Sequence, residues 1–220
     1  MHANASARFA RPAFTRFSAA LLGLAALLLA IVPDAARAAD PAEAARTTVQ
    51  DFYAVLVQTM KDGPGLGHAG RAKMLEPALV RAYDLPTMTR NAVGPSWSGF
   101  DEATRQTLVA AFTRYTVATY ANRFTSFDGE TFEVGATKPS TGGRLVVETR
   151  LVPAQGEPVQ LNYLMAADPE GRQRIVDVFL NGTISQIATT RSEFTATLRK
   201  DGAPGLEALL DRRVAELARN

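Results

Sequence analysis

The chain has 220 residues, no cysteine, two histidines and a formal net charge of +2. Lack of cysteine excludes disulfides, zinc–thiolate sites and thiol chemistry, so stability has to come from packing. Hydrophobic residues make up 46% of the chain, enough for one substantial core.

The basic balance belongs to the N-terminus. Arg8, Arg11 and Arg16 precede an apolar run over 19–32, and Ala36-Arg37-Ala38 gives a small-x-small cleavage pattern. This reads as a secretory signal peptide, residues 1–38, cut after Ala38, with an apolar part short for a membrane span. Its removal takes away four basic residues and one acid. Residues 39–220 then hold 20 basic and 21 acidic side chains, a net charge near −1. Such a balance offers no electrostatic footprint for nucleic acid or an anionic membrane surface. The expectation is one soluble domain, 39–220, exported to a periplasm.

Asp40-Pro41-Ala42-Glu43 is a helix start, and Ala45, Val49, Phe52, Leu56 and Met60 mark one face, widened by Tyr53 and Val57. Gly63-Pro64-Gly65 predicts its end. The following Gly65-Leu66-Gly67-His68-Ala69-Gly70 is a literal GxGxxG, but no strand precedes it. The spacing therefore predicts a flexible helix–helix loop with His68 exposed rather than a dinucleotide site. A second helix is predicted over 71–83 and a third over 85–93, capped by Asp84 and stopped by Gly94-Pro95. Trp97 reads as a core anchor. Asp101 caps the longest helix, 102–124. Leu108, Phe112, Tyr115 and Thr119 form one stripe on it, with Val109, Thr116, Tyr120 and Phe124 beside them. That face suits either a thick core contact or a cavity wall, and periodicity does not separate the two.

The period then changes to two. Strands are predicted over 131–136, 144–152, 158–166 and 173–180, joined by short turns into an antiparallel meander. Phe132 and Val134, Leu145, Val147 and Leu151, Val159, Leu161, Tyr163 and Met165, and Val176, Val178 and Leu180 make its apolar face. After the Asn181-Gly182 turn comes a helix over 184–199, a break at Gly202-Ala203-Pro204-Gly205, and a last helix carrying Leu206, Leu209, Leu210, Val214 and Leu217. The fold class is α+β: helices on one face of a curved four-stranded antiparallel sheet, with an apolar pocket between them.

Two charged residues stand out. Asp177 lies in an apolar strand and points away from Val176 and Val178. It either faces solvent or a basic partner, or acts as a general base in a cone-shaped α+β pocket. No companion acid supports the second reading. Arg191 falls in the inward stripe of Ile187, Phe194 and Leu198. It either bonds helix-terminal carbonyls or a carboxylate such as Asp177, or meets a lipid phosphate at a pocket mouth. Buried charges are usually paired within the fold, which favours the structural role.

The order of elements resembles the MlaC family of periplasmic phospholipid carriers, the toluene-tolerance auxiliary family of ABC transport systems. The matching residues are Asp84-Leu85-Pro86-Thr87-Met88, Trp97 with Asp101-Glu102, Thr119-Tyr120-Ala121, and Val176-Asp177-Val178 with Gly182-Thr183-Ile184-Ser185. Arg191-Ser192-Glu193-Phe194 and Arg199-Lys200-Asp201-Gly202 complete the block. Val176 and Thr190 stand where the family usually has Tyr, and Asn181 where it has Glu. Tyr83-Asp84-Leu85-Pro86-Thr87, Val93-Gly94-Pro95-Ser96-Trp97-Ser98 and Arg114-Tyr115-Thr116-Val117-Ala118 resemble the branch associated with hopanoid biosynthesis.

The resemblance implies a non-enzymatic, cofactor-free monomeric carrier whose pocket holds the acyl tails of a phospholipid, or a hopanoid. It implies shuttling between an inner-membrane ABC transporter complex and an outer-membrane lipoprotein complex. The residues expected to contact lipid are Phe52, Leu56, Leu85, Met88, Phe112 and Tyr115 from the helices, Phe132, Val147, Leu161, Tyr163 and Val178 from the sheet, and Ile187 from the helix after it. The competing reading is a small-molecule enzyme using Asp177 or Tyr163.

Overall fold

The computed structural model describes residues 40–219. The expected signal peptide, 1–38, and its expected cleavage site lie outside them. Helix α1 runs Pro41–Ala82. Asp40 Oδ1 accepts from the Ala42 amide at 3.0 Å, and Pro41 occupies a first-turn position where a missing N–H is harmless. The predicted face, Ala45, Val49, Phe52, Leu56 and Met60, is buried.

The chain does not leave the helix at Gly63-Pro64-Gly65. The interruption comes at Gly67, whose φ of +61° breaks the helical run, and the predicted second helix is the continuation of α1. Gly63 is small for a different reason from the one expected. The Thr125 backbone carbonyl lies where a Cβ would sit, so the glycine permits close approach rather than an exit. Arg71, 7% exposed, crosses the bend and donates from Nη1 to the Gly63 carbonyl at 3.2 Å and from Nε to the Ala121 carbonyl at 2.7 Å. Nor is His68 left in solvent: it is half-buried, with Nε2 3.2 Å from the Ala118 carbonyl.

Helix α2, Leu85–Val93, and helix α3, Glu102–Arg123, follow their predicted bounds closely. Asp84 and Asp101 cap them, accepting from the Thr87 and Thr104 amides at 3.0 and 2.8 Å. Between them, Trp97 sits half-buried against the core in a 3-10 turn, Gly94–Gly99, with the Arg105 guanidinium 5.8 Å from its ring.

The sheet has strands β1 Thr131–Pro139, β2 Leu145–Val152, β3 Val159–Ala167, β4 Gln173–Leu180 and β5 Ile184–Ser185, in that order and antiparallel throughout. The predicted four become five. Asn181 and Gly182 have φ values of +52° and +75°, the consecutive left-handed pair that closes a tight hairpin. The returning strand is two residues long, too short to leave a period in the sequence.

Two slips in register curve the sheet, one between Val134 and Thr137, the other where Leu164 faces Asp177 while Met165 faces Ile175. The second leaves Val176 as the extra residue. Ile175, not Val176, therefore joins the core cluster opposite Met165, and both are fully buried. At the end of α1, Tyr83 bridges to Ile175, and the Asp84 amide donates to the Ile175 carbonyl at 2.9 Å. The helical layer is thus stitched to the edge of β4.

Helix α4 spans Gln186–Leu217 and is interrupted at Gly202, φ +65°, at the predicted break. Its two halves bury Ile187, Phe194 and Leu198, then Ala203, Leu206 and Leu210. Among the described residues no helix is long and apolar enough to cross a membrane.

Candidate functional site: an apolar cavity with a tyrosine floor

A cavity of about 180 Å³ lies between the inner face of the sheet and the helices α2, α3 and the start of α4. The sheet presents Phe132, Leu161, Tyr163, Val178 and Leu180 to it. Leu56, Met88, Phe112, Tyr115 and Ile187 close the other sides. Alternation in the strands and the stripe on α3 aim these side chains inward, so the wide aromatic face of α3 is a cavity wall as well as a core contact.

Three residues expected in the pocket are elsewhere. Phe52 stands behind the wall, edge-on to Tyr83 at 5.3 Å and to Tyr120 at 5.4 Å. Leu85 is buried in the core at the start of α2, and Val147 is fully buried opposite Tyr163. Each has the right polarity, but close packing already uses its surface. The lining residues that sequence reasoning missed are mainly Tyr83, Tyr120, Arg123 and Thr190. Tyr120 and Phe124 were visible as a second stripe on α3. Tyr83 reads only as the end of a helix, and nothing in its local pattern gives its position.

The cavity lining carries two kinds of polar group. Arg123, exposed, is the one charged side chain lining it among the described residues, near half-buried Thr119, Gln186 and Thr190. The second kind is phenols. Tyr83 and Tyr163 are buried, with 1% and 2% exposure. The Tyr83 and Tyr120 hydroxyls hydrogen-bond to each other, and Tyr53 bonds Thr149 Oγ1 at 2.7 Å. Burial, then the neighbouring phenols, push Tyr163 well above its usual range. Burial also raises Tyr53, Tyr83 and Tyr120, for Tyr120 against the opposing pull of Arg123. All four stay neutral at ordinary pH; Tyr83, Tyr120 and Tyr163 line the cavity, while Tyr53 is buried outside its lining. Tyr163 holding its proton is a poor base.

Asp177 is neither solvated nor paired with a basic residue, as the sequence pattern suggested. It is 8% exposed and accepts from Ser185 Oγ at 2.5 Å, the Ile187 amide at 3.1 Å and the Val178 amide at 2.7 Å. These bonds hold the first turn of α4 against β4, and they leave the carboxylate little freedom to act as a general base.

Arg191 is not on the buried seam either. The side chain is exposed, its stem lies over Gly94, where a Cβ would come within 3.2 Å of Arg191 Cδ, and Nε donates to the Asn91 carbonyl at 2.6 Å. The stem follows the stripe and the charge leaves it. Of the two readings, the bond to a helix-terminal carbonyl is the one present. Arg191 does not line the cavity.

Among the described residues no three metal-ligating side chains come together. What the arrangement can do is enclose hydrocarbon, with a cationic rim and a hydroxyl-bearing interior. That is the geometry of a container for an apolar ligand. The chain matches the MlaC family over residues 46–212, which includes every residue lining the cavity, and it belongs to that family. A solved structure similar to it is a phospholipid-binding protein from Ralstonia solanacearum, in complex with a phospholipid. The two share 25% identity with a TM-score of 0.69, over 82% of this chain and 99% of that one. Comparison with curated proteins gives no match.

Proposed function

We propose that the protein is a periplasmic carrier that takes phospholipid tails into the cavity and leaves the headgroup at the Arg123 rim. In this reading it shuttles lipid between an inner-membrane ABC-type transporter complex and an outer-membrane lipoprotein complex, and does so without catalysis. Residues 1–38 are then the signal peptide that exports it, cleaved after Ala38. The observation that carries the reading is the apolar cavity between sheet and helices in a member of the MlaC family. The phospholipid bound by the Ralstonia solanacearum protein supports it.

The physical need is simple. Each methylene withdrawn from water is worth about 0.8 kcal/mol, so one chain of roughly fifteen carbons represents on the order of 12 kcal/mol of exposure. At about 180 Å³ the empty chamber is smaller than the roughly 300–1,000 Å³ of sites that bury drug-sized ligands. Loading a diacyl lipid therefore requires the walls to part. Native mass spectrometry of the purified protein, with extraction of what it carries, tests the proposal. Co-purified phospholipid is expected, hopanoid in its place would assign the chain to the hopanoid-associated branch, and a consistently empty protein would overturn the carrier reading.

A further inference from the structure

Trp97 is the one tryptophan of the chain and does not line the cavity. It lines a second concavity, a groove of about 460 Å³ between the outer sides of α2 and α3. Pro86 and Arg90 reach it from α2, and Glu102, Arg105 and Val109 from α3. Arg105 is held beside the indole by the turn itself, donating from Nε to the Trp97 carbonyl at 3.3 Å and from Nη2 to the Ser98 carbonyl at 3.4 Å. Arg90 is exposed, and Arg191 crosses from α4 to lay its stem over Gly94, where the turn begins. None of the three arginines forms an ion pair among the described residues. The acids beside them are engaged locally: Glu102 accepts from Gln106 Nε2 at 3.1 Å, and Asp101 from the Thr104 amide. A net charge near −1 over 39–220 thus hides a local excess of positive charge around an indole.

We propose that this corner of the molecule docks on the surface of an anionic phospholipid bilayer, Arg90 and Arg105 taking a headgroup phosphate into the groove. A guanidinium fork matches phosphate oxygens, and an indole settles at headgroup depth, its ring apolar and its N–H wet. Size argues for a headgroup over a protein partner. Nine residues line the groove, whereas a stable protein–protein interface takes roughly 20–30 a side. Position gives the docking a use. Arg191, beside Gly94, also donates to the Asn91 carbonyl and so ties α4 to α2. Docking therefore brings the bilayer next to a seam of the cavity wall. The inference goes beyond the carrier reading and rests on it only for the lipid surface at hand.

Trp97 makes the test direct, since tryptophan emission comes from the groove alone. The protein is floated with vesicles of phosphatidylcholine, and with vesicles of phosphatidylcholine mixed with phosphatidylglycerol, at low and high salt. Binding is expected to the mixed vesicles, with a blue shift of the Trp97 emission, and salt should weaken it. An arginine near such a surface is worth about fivefold in partitioning. Arg90→Gln should lose about that much and Arg90→Glu more, while Lys138→Glu, the same charge reversal on β1 outside the groove, should lose little. Equal binding to both kinds of vesicle, an unmoved Trp97 emission on binding, or equal losses for Arg90→Glu and Lys138→Glu would overturn the docking surface. Failure to bind either vesicle would overturn it too, in favour of an acidic protein partner, and phospholipid co-purified with that same protein would keep the carrier reading intact. Binding through the groove by a protein that carries no lipid would uphold the docking surface and overturn the carrier.

Discussion

Ser185 and Asp177 start helix α4 together. Ser185 Oγ donates to Asp177 Oδ2 at 2.5 Å and accepts from the Ala188 amide at 2.9 Å, while Asp177 Oδ1 takes the Ile187 amide at 3.1 Å. Two of the helix's open amides are thereby satisfied from one side-chain pair, which also fixes the helix to the strand that forms one cavity wall.

Asp177→Ala removes three accepted bonds at a buried position and should lower stability by about 3 kcal/mol, the range for leaving buried donors unpaired. Chemical denaturation measures it. A loss under about 1 kcal/mol would show that water replaces the carboxylate without difficulty.

Leu161 and Val147 sit on the neighbouring strands β3 and β2, but only Leu161 lines the cavity. Leu161→Trp projects into the cavity and should reduce lipid occupancy with the fold retained, read as bound lipid per protein. Val147→Trp goes instead into fully packed core and should cost about 1–3 kcal/mol or more from overpacking. Equal effects on occupancy and melting temperature for the two variants would contradict the assignment of the walls.

The two arginines separate in the same way. Arg191→Ala should lower stability by about 1 kcal/mol, the worth of one hydrogen bond, without altering lipid retention. Arg123→Glu should leave stability nearly unchanged and weaken retention of an anionic phospholipid roughly two- to fivefold relative to a zwitterionic one, because the rim is exposed and screened. Vesicle back-extraction with phosphatidylglycerol and phosphatidylethanolamine reads the difference.

Alkaline pH reports on the phenols. An unfolded tyrosine ionises near about 10, whereas burial holds Tyr53, Tyr83, Tyr120 and Tyr163 protonated to higher pH. Above that value the folded chain keeps protons the unfolded chain has lost. Their contribution to stability is full below about 10 and declines as pH rises further. Urea midpoints measured across this window should fall with pH, and fall less steeply for Tyr163→Phe.

Much of this was legible in the sequence because it depends on local pattern. The caps at Asp84 and Asp101 set α2 and α3, and period-two alternation set four strands to within a few residues. What escaped depends on contacts distant in sequence. Gly63-Pro64-Gly65 carries every local sign of an ending, yet Thr125 and Arg71, from elsewhere in the fold, fill and bridge the spot. The slip at Val176 changes which residue faces inward, and strand period alone does not register an inserted residue. The phenols come from α1 and its C-cap, from α3 and from β3, so no spacing announces their meeting.

Arg71 has one more consequence. Its guanidinium joins carbonyls from two helices through a flat fork, and a lysine would bring the charge without the fork. The bend of α1 and the last turns of α3 are in effect riveted. On the far side of the chamber, α4 is tethered by Asp177 at its first turn and by Arg191 a turn later. If the walls part to load lipid, the latch at the start of α4 is the seam expected to give.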